Sequence, residues 1–104
     1  MQKYVYVRLY ETSPLVWATD PSVLDWIFGE VKKHVPTCAI RNEDYDLAGV
    51  RVGFTLHQLQ NKELLVAKWL IRLLCDNGFE PFEVTPASDS GMLRWLHFRR
   101  AVEI

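Results

Sequence analysis

An α+β fold, in which a mostly antiparallel sheet carries two helices on one face, follows from three observations on the sequence. The hydrophobic period switches from two to 3.6 and back, twice along the chain. Each helical stretch is closed by its own stop signal. The alternating stretches flank the two helices singly or in pairs, the pattern of a layered α+β protein.

The first element is Tyr4–Tyr10. Val5, Val7 and Leu9 share one side, and Tyr4, Tyr6, Arg8 and Tyr10 share the other. β-Branched and aromatic side chains fit a pleated surface, so this is a strand. A loop holding Ser13, Pro14 and Trp17 follows. Asp20-Pro21 then starts a helix: the aspartate can accept from the free amides of the first turn, and proline suits the first helical position. Val23, Leu24, Ile27, Phe28 and Val31 recur at helical spacing until Pro36 stops the element, which predicts a helix over 21–34.

Residues 37–41 predict a short strand and 42–46 an acidic turn. Val50, Val52, Phe54 and Leu56, alternating with Arg51, Gly53, Thr55 and His57, predict the hairpin partner. Asn61 is a candidate cap for a second helix over 62–76, and Asn77-Gly78 closes it where a left-handed residue is needed. A strand over 79–84 carries Pro81, which favours a sheet edge. A turn cluster at 87–91 leads to a last strand over 92–102. The order β-α-β-β-α-β-β predicts a ferredoxin-like plait with an added C-terminal strand, formed by residues 1–104 as one domain.

Composition removes several classes of function. The 104 residues carry 12 Lys and Arg against 13 Asp and Glu, so the whole-chain balance does not favour a partner held mainly through its phosphates. Two cysteines, Cys38 and Cys75, lie far apart and form neither a disulfide framework nor a C-x-x-C pair. Lys68 and Arg72 interrupt the longest apolar stretch, and the N-terminal residues run directly into strand alternation. The expectation is an intracellular protein, cytoplasmic or nuclear, with no membrane partner.

No catalytic constellation is legible. The chain has no nucleophile elbow, no phosphate loop, no zinc-protease helix and no dinucleotide fingerprint, and its five glycines are scattered. His34, His57 and His97 stand singly on different elements, so no metal site and no cofactor is expected. The acidic run Glu43-Asp44-Tyr45-Asp46 lacks the glycine and terminal glutamate of a calcium loop and reads as a solvated turn. Cys38 reads as a half-buried strand thiol rather than a nucleophile.

Two surfaces attract attention instead. If the aliphatic side of the sheet faces the helices, the other side presents Tyr4, Tyr6, Arg8, Tyr10, Arg51, His57, Trp95, His97 and Arg99. Aromatic planes interleaved with cations can stack bases, and Tyr, Trp and Arg are equally the residues of protein interfaces. Val5-Tyr6-Val7-Arg8-Leu9 resembles the first-strand motif of RNA recognition motif domains, whose element order is similar over most of this chain. The resemblance implies single-stranded RNA as a partner, although Val50–Leu56 departs from that family's third-strand pattern in the placement of its aromatics. The second surface is the second helix, where Leu65, Val66, Trp69 and Ile71 extend the apolar arc beyond the stripe that one sheet contact needs. The leading expectation is a non-enzymatic protein-interaction module, a homodimer or a subunit of a larger complex. Single-stranded RNA binding is the alternative, and a small enzyme or ligand-binding domain assembled only in the fold ranks last.

Overall fold

Strand propensity and capping place the elements much as their residue types dictate. The computed structural model describes residues 3–87 and 93–102. Among these, the order is β1 (Lys3–Tyr10), β2 (Leu15–Ala18), α1 (Pro21–His34), β3 (Ala39–Tyr45), β4 (Arg51–His57), α2 (Glu63–Asp76), β5 (Glu80–Pro86) and β6 (Arg94–Val102). Asp20 caps α1, accepting from the Ser22 amide at 2.9 Å, and Pro21 is the first helical residue. Gly78, at φ +86°, follows the end of α2 in the left-handed region where glycine carries no steric cost.

The protein is α+β, with two helices and one six-stranded antiparallel sheet among the described residues. The strand order is β3-β4-β2-β1-β6-β5, which is not the order of the predicted plait. The reason is β2. Leu15–Ala18 was expected to be loop, yet it folds back on β1 and inserts between β1 and β4. Three antiparallel hairpins, β3-β4, β2-β1 and β6-β5, therefore lie side by side.

Both helices cover the same face. Val23, Leu24, Ile27 and Val31 of α1 and Val66, Leu70 and Leu74 of α2 share one buried cluster with Val7, Leu9, Val16, Phe54, Leu56 and Phe98 of the sheet. The cluster excludes water from apolar surface on one side of the sheet only, and that burial is the main driving force for the fold.

Three local expectations are corrected. Asn61 does not cap α2; Lys62 holds that position without a side-chain bond, and Asn61 is a left-handed turn residue at φ 62°. The acidic segment 42–46 is mostly strand, since β3 continues to Tyr45, and the turn is made by Asp46, which accepts from the amides of Ala48 and Val50 at 2.9 Å each. The last strand begins at Arg94 among the described residues. The turn cluster at 87–91 lies, beyond Ala87, outside the described residues. No helix of the described chain is long and apolar enough to cross a membrane.

Candidate functional site: the aromatic and arginine face of the sheet

The sheet face away from the helices is built by strand alternation. With Val7, Leu9 and Phe98 in the core, Tyr6, Arg8, Tyr10, Trp95, His97 and Arg99 project to the other side. Register then brings cations beside rings: Arg8 lies opposite both Trp17 and His97, and Tyr6 lies opposite Arg99.

Two stacks result. The Arg8 guanidinium lies between Trp17 and Trp95, 4.9 Å and 4.3 Å from their ring centroids. Trp95 in turn meets Tyr10 edge-on at 5.0 Å. Arg99 lies between Tyr4 and Phe82, at 4.9 Å and 5.0 Å. Tyr6 bridges the second stack, 6.0 Å from Tyr4 and 5.9 Å from Phe82. Contacts of this kind attract through the ring quadrupole and restrain the guanidinium groups beside the rings.

The two arginines differ in what neutralises them. Arg99 donates to Glu80 at 2.8 Å, and that carboxylate raises its proton affinity. Arg94, at the rim, donates through Nε to Glu11 at 2.9 Å, and holds the Glu11 carboxyl below its ordinary range. Arg8 has no carboxylate partner among the described residues. Its Nε is buried without an acceptor, and burial pushes its guanidinium below the usual value. An arginine in this setting still carries its charge at neutral pH.

Arg8 forms part of a shallow basin of about 440 Å³ with Tyr6, Trp17, Thr19, Phe82 and His97. Among the described residues, no acidic side chain lines it. Thr19 Oγ1 accepts from the Tyr6 amide at 3.0 Å, and His97 Nε2 shares a 2.7 Å hydrogen bond with Thr85 Oγ1. The lining is thus chiefly aromatic and aliphatic, with one unpaired cation.

Two backbone features shape the basin. Gly53 lies opposite Trp17, and a Cβ there would stand 3.0 Å from Trp17 Cδ2 and 3.0 Å from the Val16 carbonyl oxygen. The missing side chain lets the indole lie over β4. In β5 the register shift between Pro81 and Glu83 leaves Phe82 as an extra residue, and its ring joins Tyr6 and His97 on the open face.

The structure does not keep every expected residue on this face. Arg51 leaves it, because Val52 is an extra residue between the pairs Asp44–Gly53 and Tyr45–Arg51. Past that bulge the Arg51 guanidinium reaches Asp25 on α1 and Glu43 on β3, 3.0 Å away in the second case. Val52 accordingly lines the basin instead of facing the helices. His57 lies opposite Ala39 near the far end of β4 and does not line the basin.

On α2 the four expected contact residues separate. Val66 is turned into the core, so it cannot meet a partner. Trp69 is half-buried edge-on against His34 at 4.9 Å. Ile71 is half-buried beside a groove with Pro81, Val84 and Leu96, and Leu65 stands exposed. Sequence reasoning missed Trp17, Thr19 and Phe82. The run Leu15-Val16-Trp17-Ala18 between two prolines was the available signal for the first of these. Among the described residues no cluster of three metal-ligating side chains occurs, and Cys38 is buried with its thiol pushed up by burial.

No protein-family model, no curated protein and no solved structure is significantly similar to the chain.

Proposed function

We propose that the protein is a non-enzymatic interaction module that docks a polypeptide partner on the open face of its sheet, within a homodimer or a larger assembly. The observation that carries this reading is the basin beside Arg8: apolar and aromatic, open to solvent, and provided with one unpaired cation. An aromatic patch with a central arginine has the composition of an interface hot spot.

RNA binding is the less favoured use of the same face. A single-strand platform needs free ring faces and several cations along a backbone track. Here Trp17 and Trp95 already stack on Arg8, while Arg99 and Arg94 are tied to Glu80 and Glu11.

Panning a random peptide library on the whole chain tests the proposal. Selected peptides are expected to lose binding to the double variant Y6A/W95A, and an oligouridylate is expected not to bind at physiological salt. Two results would reverse the reading: peptides indifferent to that double variant, or oligouridylate binding that weakens steeply with salt.

A further inference from the structure

We infer that the basin is a carboxylate-anchoring subsite, in which Arg8 receives the side-chain carboxylate of an aspartate or glutamate in the partner segment while flanking apolar side chains fill the aromatic lining. The inference rests on the proposed interaction role and adds the chemistry of what is bound.

The Trp17 and Trp95 rings lie 4.9 Å and 4.3 Å from the guanidinium carbon and offer it no hydrogen-bond acceptor, so its N–H groups remain to be satisfied. Nε is buried, which leaves the terminal nitrogens as the end that a ligand can reach. Two parallel N–H donors in a plane match the two oxygens of a carboxylate. Because the stacked rings already hold the guanidinium, little side-chain freedom is lost when an anion binds.

Charge points the same way. Among the described residues no Asp or Glu lines the basin, whereas Arg51, Arg94 and Arg99 each have a carboxylate of their own. An arginine partly withdrawn from water with no counter-ion is the costly arrangement, and an incoming carboxylate removes that cost. The remaining described lining contributes rings and methyl groups, with Tyr6, Thr19 and His97 bringing a hydroxyl, a second hydroxyl and an imidazole. A lone inorganic anion would leave those apolar walls unused. A carboxylate carried between large apolar residues uses both. The volume of about 440 Å³ falls within the range of roughly 300–1,000 Å³ typical of sites for compact ligands.

The test uses the full chain with acetyl-Phe-Glu-Phe-amide and its Gln counterpart as probes, followed by the Arg8 side-chain Nε–H resonance and the indole N–H resonances of Trp17 and Trp95. The Glu peptide is expected to shift all three, with affinity near the ~1 mM of a single anchored contact, and the Gln peptide to bind roughly tenfold or more weakly. R8M is expected to abolish the difference between the two peptides. R8K, which keeps charge but not the planar fork, is expected to recover only part of it. Far-UV circular dichroism of both variants verifies that the sheet persists. Equal affinity for the two peptides, or no shift of Arg8 with either at roughly 10 mM, would overturn the subsite. Library peptides that need Tyr6 and Trp95 yet tolerate R8M would sink the carboxylate inference and leave the docking face standing. Library peptides indifferent to both Y6A/W95A and R8M would remove the docking face as well.

Discussion

Gly53 has its most specific role in what it lacks. Its hydrogen leaves room for Trp17, and the Trp17 and Trp95 rings both lie against the Arg8 guanidinium. Gly53→Ala places a methyl group 3.0 Å from the indole, and overpacking of this kind costs about 1–3 kcal/mol. The expected outcome is a lower Tm together with displaced Trp17 indole and Arg8 Nε–H resonances. An unchanged Arg8 signal would separate the glycine from the stack. The two cysteines give a second residue-scale prediction. Cys38 is buried and its thiol is held neutral by desolvation, whereas Cys75 is exposed on α2. Because the thiolate is the reactive form, a disulfide reagent is expected to titrate one thiol in the native protein and both in denaturant. Two fast native thiols would contradict the packing of Cys38 beneath the hairpins.

At the scale of an element, α2 resolves an ambiguity in its own sequence. Its apolar arc is too wide for one contact, and the fold divides it. Leu70 and Leu74 lie fully buried beneath the helix, Trp69 and Leu73 are half-buried, and Leu64 and Leu65 face solvent near the start of the helix. Leu70→Ala therefore opens a cavity and is expected to lower stability by about 2–5 kcal/mol, measured by denaturant unfolding. Leu65→Glu, on the exposed side, is expected to stay within about 0.5 kcal/mol of the parent. A comparable loss in both variants would mean that the helix lies differently on the sheet. The strands follow similar logic. Edge strand β5 carries proline at Pro81 and Pro86, and edge strand β3 is broken by register shifts, so neither edge offers a long unpaired ladder to another sheet.

For the molecule as a whole, stability is graded from the centre outward. β1 and β2 lie between the other two hairpins and beneath the shared core, while β3 and β5 each have a single strand neighbour. Native-state hydrogen exchange is expected to find the slowest amides around Val7, Leu9 and Val16, and the fastest ladder amides in β5. Equal protection of β5 would indicate that its outer edge is covered in solution. With both helices on one side, the proposed docking face and the stabilising core are opposite sides of one sheet, which lets the first be altered with modest effect on the second.

The sequence by itself determined the local pieces. Alternation fixed which side of β1 and β6 is aromatic, Asp20-Pro21 and Gly78 bounded the helices, and the spacing of Leu70 and Leu74 marked the core. Those features depend on neighbours within one turn or one strand, so they can be read from a single stretch of chain. Only the tertiary structure decided that Leu15–Ala18 is a strand, because four residues become one by pairing with β1 on one side and β4 on the other. The same holds for the site. Arg51 leaves the face through a bulge, Phe82 joins it through another, and Trp17 arrives on a strand that exists only in the assembled sheet. Register and bulges are set by partners distant in sequence, and a one-residue slip exchanges the two faces of a strand. Arg8 was therefore visible as an exposed arginine on a strand, but its two tryptophan neighbours and its lack of a carboxylate partner among the described residues belong to the fold.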